Sequence, residues 1–283
     1  MNTTKQIWTE EIKSNNSLLS INFREVWHYR DLLLMFVKKD YVTFYKQTIL
    51  GPLWFVIQPV LTTLMYVLLF GQIAQLSTDG APQFVFYLSG VTIWSYFSET
   101  LTKTATVFRD HAGMMGKVYF PRLIMPLSII VSGLMKFAVQ FVLFILVVLY
   151  YTFVDVQIVP NIWILATPLL ILLMAAFSLG LGMVFSSLTT KYKDLVFLLT
   201  FGISLFMYAT PVVYSIGSIP VAYQWIATLN PLTAIFECFR YSYLGSGTFN
   251  PNDLLISAFS IILILALGTL IFNKVEKSFM DTV

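Results

Sequence analysis

Apolar residues run along this chain in long blocks, separated by short polar stretches. A helix needs about 20 mostly apolar residues to cross a bilayer. Six blocks reach or approach that length: 53–76, 84–101, 123–151, 162–188, 195–214 and 254–272. The third is long enough to tilt, or to begin as a helix outside the membrane. The pattern predicts an all-α, polytopic integral membrane protein with six transmembrane helices.

Two segments fit neither a span nor a simple loop. Residues 23–46 mix Arg24, Arg30, Lys38, Lys39 and Lys46 with Trp27, Leu32, Leu33, Leu34, Phe36, Tyr41, Phe44 and Tyr45. That mixture predicts a basic amphipathic helix lying in the membrane interface. A solvated helix packed on a neighbour would carry the same pattern. Residues 215–253 are aromatic and semi-apolar in their middle, 221–244, where Asn230 and Pro231 interrupt them. The residue before a proline is pushed out of helical geometry. The expectation is two short helices forming a re-entrant outer hairpin between spans five and six. Irregular backbone at that depth is tolerated only when buried in protein or lining a cavity. The chain then divides into a cytoplasmic tail and interface helix, 1–52, and one transmembrane domain, 53–283.

Charge adds an orientation. Seven of the 17 Lys and Arg precede the first span, and four lie between the second and third: Lys103, Arg109, Lys117 and Arg122. Lys191 and Lys193 lie between the fourth and fifth, and Lys274 and Lys277 follow the sixth. Across the membrane stands only Arg240, while Lys136 falls inside a span. Cytoplasmic loops carry the excess of Lys and Arg, so both termini are predicted to be cytoplasmic. An even number of spans agrees with this.

Composition excludes more than it assigns. Hydrophobic residues make up 58% of the chain and charged residues 11%, against roughly 25% charged in soluble domains. The single cysteine, Cys238, rules out an intramolecular disulfide. The polar first 17 residues lack the apolar core of a cleaved signal peptide. The two histidines and one cysteine give no metal cluster. A phosphate-binding loop would need glycine at His111 and Ser or Thr at Val118, so Gly116-Lys117 is not one. There is no Asp-x-Asp pair for a metal-bound sugar nucleotide, and no plausible Ser/His/Asp set. No cofactor and no catalytic residue is expected in this chain.

Four ionisable residues lie in or near apolar segments: Glu99, Lys136, Glu237 and Arg240. Such groups usually face a partner or a cavity. Glu237 and Arg240 are three residues apart, so on a helix they can pair or face a substrate. Glu99 and Lys136 are near predicted span ends, where snorkelling suffices. Aromatic residues cluster as Trp94, Tyr96 and Phe97 on the second span and Phe206, Tyr208 and Tyr214 on the fifth. Their flat faces can stack on sugar rings along a channel, or simply pack the core and the interfacial belt. The stretch from Arg109 to Arg122 is basic and mildly apolar, suited to docking a soluble partner or to lying near anionic lipid.

Several segments together resemble the permease subunits of ABC transporters that export O-antigen, capsule-like polysaccharide or teichoic acid. They are the run from Tyr45 through Gly51-Pro52-Leu53-Trp54 with Gln58-Pro59 and Phe70-Gly71, then Lys117 to Arg122 with Pro126. Lys191 to Asp194, Ala209 to Tyr214, Leu229 to Thr233 with Phe239-Arg240, and Lys274 to Phe279 follow in order. The resemblance covers the chain from about residue 24 onward. It implies a homodimer in a bacterial inner (plasma) membrane, joined to a separate ATPase subunit that binds ATP and Mg. It implies that Arg24, Arg30, Arg109, Lys117, Tyr119 and Arg122 couple to that ATPase, and that Asn230, Pro231, Glu237 and Arg240 belong to the outer hairpin. The expected cargo is a lipid-linked glycan, with membrane lipids as further partners and no nucleic acid. An ABC permease for a drug or small lipid, an ion-coupled secondary transporter and a membrane enzyme acting on lipid are the other readings.

Overall fold

The fold is known from a computed structural model, which describes residues 23–46, 48–115, 120–154 and 158–279. Among them the architecture is all-helical. The helices are α1 (Phe23–His28), α2 (Arg30–Tyr45), α3 (Trp54–Tyr66), α4 (Gln83–Ala105), α5 (Val107–Met115) and α6 (Ile124–Val154). After them come α7 (Thr167–Lys191), α8 (Leu195–Ala209), α9 (Val221–Leu229), α10 (Pro231–Leu244) and α11 (Pro251–Phe279). A 3-10 turn at Gly51–Leu53 leads into α3, which widens into a π-helical stretch over Val67–Ile73.

Four stretches among the described residues are long and apolar enough to cross a membrane: Gly51–Ile73, Ile124–Val154, Ile162–Lys191 and Pro251–Val275. They coincide with the first, third, fourth and sixth predicted blocks. The other two blocks differ in instructive ways.

The second block is α4, the central helix. Sixteen of its 23 residues are buried, and it packs against α3, α6, α7, α8 and α10. Surrounded by protein, it can be rich in hydroxyls. Several of those hydroxyls bond back to its own carbonyls, as in Ser89 to Phe86 (2.6 Å), Thr100 to Tyr96 (2.6 Å) and Thr102 to Ser98 (2.7 Å). Such back-bonding hides the polar atom within the helix that carries it.

The fifth block ends early. The sequence predicts a helix through Tyr214, but α8 stops at Ala209, after 15 residues. Pro211 is the cause: it forces Thr210 to φ −107° and ψ 142°, which is extended backbone. Residues 210–220 then run irregularly to α9.

The amphipathic segment predicted over 23–46 forms α1 and α2, broken at Tyr29. Phe36 and Val37 are buried, with Phe36 against Phe120 at 6.0 Å between ring centres. Asp40 accepts a hydrogen bond from Ser132 of α6 (3.2 Å). Trp27, Leu34, Met35 and Val42 remain exposed. One side of the segment therefore packs on the helical body and another presents apolar side chains outward.

The helix pair α7 and α11 meets backbone to backbone. A Cβ built on Gly268 would lie 2.3 Å from the Gly180 carbonyl oxygen, and one on Gly180 would lie 2.8 Å from Leu265 Cα. Small residues at membrane helix contacts permit this approach, because dispersion and packing must replace the missing hydrophobic drive between helices.

Candidate functional site

Three helices, with Val212, line a half-open cavity of about 180 Å³ whose wall mixes polar and apolar side chains. From α3 come Gln58 and Thr62, each one turn from the next; from α4 come Trp94, Ser95 and Ser98; from α6 come Lys136 and Gln140. Residues four apart on a helix share a face, so each helix contributes one polar stripe. Ser95 Oγ donates to Gln140 Oε1 at 2.6 Å, which ties α4 to α6 at the cavity wall.

Lys136 is held beside the cavity by Glu99. Its Nζ lies 2.6 Å from Glu99 Oε2, and Lys103 Nζ lies 2.9 Å from Glu99 Oε1. The sequence reading left Glu99 and Lys136 as separate groups near span ends. The fold joins them across α4 and α6, with two ammonium groups on one carboxylate. Lys136 also sits 5.7 Å from the centre of the Phe55 ring. Lys136→Met is expected to lower the thermal unfolding midpoint by a few degrees, and Lys136→Met with Glu99→Gln by less. A half-buried charge that loses one partner costs more than a pair removed together. Fluorimetric melting in detergent checks this; equal losses in both variants would refute the pairing.

The aromatic residues expected along a channel divide. Trp94 lines the cavity, and its ring lies 6.1 Å from Phe206 and 5.5 Å from Phe97. Phe97 is fully buried and stacks on Phe177 at 5.4 Å. Tyr96 is buried against Phe137 at 5.5 Å. Within this chain, then, Tyr96 and Phe97 pack the core and Trp94 alone of its trio reaches the cavity. Tyr208 is exposed on α8, and Tyr214 bonds through its hydroxyl to the Tyr208 carbonyl (3.1 Å).

Beyond the end of α8, Arg240 of α10 is 1% exposed. Its guanidinium donates to the carbonyls of Pro211 (2.7 Å), Val212 (2.6 Å) and Tyr214 (3.1 Å) and to Ser89 Oγ (3.3 Å). It lies 3.8 Å above the Phe86 ring. Glu237 is not its ion-pair partner, although the two are three residues apart. Glu237 Oε2 instead accepts from the Thr248 N–H at 3.3 Å.

Asn230 works on the same stretch of backbone. Its Oδ1 accepts from Leu232 N–H (3.0 Å) and so caps α10, which Pro231 opens at the first helical position. Its Nδ2 donates to the Ala209 carbonyl (3.3 Å) and to Thr210 Oγ1 (2.8 Å). Thr210 in turn donates from Oγ1 to Phe206 and from N–H to Met207. The four carbonyls that the end of α8 leaves open are all bonded, and Arg240 bonds three of those beyond it. A helix end inside an apolar surrounding requires this complete satisfaction.

The basic residues assigned to partner coupling are scattered. Arg30 stands 3.9 Å from Asp31 and 5.6 Å from the Trp27 ring centre. Arg109 pairs with the adjacent Asp110 at 2.9 Å. Both are exposed neighbour pairs, which contribute little to stability. They sit on α2 and α5, and α5 is anchored from behind by Phe108 stacked on Phe272 at 4.7 Å. Arg122 is buried. Lys117, Tyr119 and the side chain of Arg24 lie outside the described residues.

Sequence reasoning missed Gln58, Thr62, Ser95, Ser98 and Gln140. The signal was present as polar residues at helical spacing within apolar blocks: 58 and 62, 95 and 98, 136 and 140. It missed the role of Arg240 because carbonyl partners leave no mark in a sequence.

Residues 31–244 match the family described as ABC-2 type transporter. An O-antigen export system permease protein RfbA of Klebsiella pneumoniae is 30% identical over 251 residues, covering 89% of this chain and 94% of the relative. A second RfbA from the same species is 27% identical over 251 residues, with the same coverage. The RfbA of Myxococcus xanthus is 26% identical over 263 residues, covering 92% of this chain and 98% of the relative.

Proposed function

The chain belongs to the ABC-2 type transporter family, and from that premise we propose that it is the membrane permease of an exporter for a lipid-linked polysaccharide. The cargo is of the O-antigen or teichoic-acid type, and it moves outward across the bacterial plasma membrane. The observation that carries this reading is the set of polar side chains converging on the half-open cavity between α3, α4 and α6. Amides, hydroxyls and one indole are the groups that engage sugar hydroxyls and the C–H faces of sugar rings. Likeness to O-antigen export permeases along nearly the whole chain supports the same cargo class.

In this reading six spans are α3, α4, α6, α7, α8 and α11. The α9–α10 pair re-enters from the outer side, and both termini are cytoplasmic, as the distribution of Lys and Arg favours. The chain carries no phosphate-binding loop, so the driving energy comes from a separate ATPase subunit that binds ATP and Mg. α2 and α5 are the surfaces offered to it. Two copies of the chain complete the pathway. The coupling is a change in the relative position of whole helices, driven by the partner and felt at the cavity.

The test is recovery of the tagged chain from its native membrane, with mass spectrometry of the proteins retained. A P-loop ATPase is expected at a ratio near one to one. Cells lacking the chain are expected to accumulate lipid-linked glycan inside, and restoring the chain to clear it even when a proton ionophore is present. A folded chain recovered without any ATPase, or export stopped by the ionophore with ATP still abundant, would overturn the proposal in favour of an ion-coupled transporter. Normal glycan export in the deletion strain, together with recovery of the ATPase on the tagged chain, would point to a smaller lipid or drug as cargo.

A further inference from the structure

A second, much smaller cavity of about 20 Å³ lies where α10 meets the 245–250 loop and the start of α11. It has room for a single water-sized sphere, far too little for a sugar ring. Glu237, Thr233, Thr248, Asn250 and Asp253 all line it. The floor is buried: Glu237 is 3% exposed and Thr233 2%. The rim, at Thr248 and Asn250, is open.

Two floor atoms have no hydrogen-bond partner: Glu237 Oε1 and Thr233 Oγ1. Glu237 Oε2 is satisfied by the Thr248 N–H, and the Ile216 N–H also points toward this carboxylate. Oε1 nevertheless meets no donor in hydrogen-bonding geometry. A buried polar atom left alone is costly, and more so when charged, so a matching group at this spot is favoured.

Charge indicates the sign of that group. Arg240 and Asp79 both act electrostatically on Glu237. Asp79 accepts a hydrogen bond from Ser215 beside the Arg240 cage. Two carboxylates, of Asp79 and Glu237, therefore share one guanidinium, and a third, of Asp253, lines the cavity. The guanidinium is committed to carbonyls and Ser89. The opposing influence is the N-terminus of α11, whose partial positive charge is met by Asp253 in its own first turn. The remaining negative excess and the all-oxygen donor set favour a hard cation.

Gly247 makes the approach possible. Its φ is +100°, a conformation that side chains disfavour. A Cβ there would lie 2.7 Å from Glu237 Oε2. The loop is thus folded directly over the carboxylate.

We propose that this cavity binds a single divalent cation, Ca²⁺ or Mg²⁺. Glu237 Oε1, Thr233 Oγ1 and the Asp253 carboxylate are the protein ligands, and water enters over the open rim. The ion ties α10 to the start of α11 and so braces the α9–α10 pair. This assignment does not depend on the cargo.

Terbium is a luminescent stand-in for calcium and is sensitised by nearby tryptophan. Trp163 contacts Phe249 at 4.8 Å, and Phe249 lines the cavity. The experiment is a terbium titration of the purified full chain in detergent, followed by competition with CaCl2 and, separately, with MgCl2. Saturable luminescence is expected, displaced by the preferred ion. It should weaken at least tenfold in Glu237→Gln and severalfold in Thr233→Val, a change of shape small enough to preserve the fold. Melting of the wild type should rise with the same divalent ion and not with NaCl at equal ionic strength. No saturable signal in folded wild type, or equal signal in a folded Thr233→Val and Asp253→Asn, overturns the site. Wild-type melting insensitive to both ions does so as well, and leaves Glu237 as a carboxyl satisfied by a water or a proton.

Discussion

Arg240→Met is expected to abolish recovery of folded protein, and it is the most damaging single side-chain substitution the structure predicts. The change removes the donors for the carbonyls of Pro211, Val212 and Tyr214 and for Ser89. Removing one member of a buried charged network costs about 3–5 kcal/mol, a large share of a typical stability of 5–15 kcal/mol. The three carbonyls cannot turn to water, because the guanidinium site is 1% exposed. Methionine restores the volume and none of the hydrogen bonds. Arg240→Lys keeps a charge but lacks the planar fork, and it should yield folded protein with a clearly lower midpoint. Size-exclusion profiles and melting of the three proteins give the comparison. A monodisperse Arg240→Met protein with wild-type melting would show that the cage contributes nothing.

Gly268→Leu is expected to separate α7 from α11 and to leave little monodisperse protein. The obstacle is backbone: the carbonyl oxygen, carbonyl carbon and Cα of Gly180 lie 2.3, 3.0 and 3.1 Å from where the first side-chain atom would be placed. No rotamer change relieves a clash with a helix backbone, so the helices must move apart. Gly268→Ala is the graded version, with an overpacking cost of about 1–3 kcal/mol. Gly202 supplies the control, since a Cβ there meets no atom within 4 Å. Gly202→Ala should melt at or slightly above the wild-type midpoint, because alanine is the better helix former. If Gly268→Ala and Gly202→Ala behave alike, the close contact of α7 and α11 is not a determinant of stability.

Four of the predicted blocks were legible because their helices leave an apolar side exposed, so that apolar residues occur in unbroken runs. The broken pair α9 and α10 was legible from Asn230-Pro231, where a cap and a first-turn proline coincide. The premature end of α8 was also written in the sequence, in Pro211, but the apolar run through Tyr214 concealed it. The cavity between α3, α4 and α6 was less accessible. Gln58, Ser95 and Gln140 belong to three blocks distant in sequence, and only packing brings their stripes to one place. Tyr96 and Phe97 illustrate the converse limit. An aromatic cluster reads the same whether its rings face a passage or each other, and here both are enclosed by Phe137 and Phe177. Arg240 and Glu237 looked like an ion pair because they are near in sequence, while the hydrogen bonds of each go to other elements.

The early end of α8 has a consequence for the bilayer itself. Fifteen residues rise only about 22 Å as a helix, against a hydrocarbon core of about 30 Å. On the proposed topology this span is too short for the membrane it crosses. Such hydrophobic mismatch is relieved by local thinning or by drawing headgroups and water inward. The outer leaflet beside α8 should therefore be indented. A polar chain moving outward past that helix would meet hydration sooner than it would along any of its neighbours.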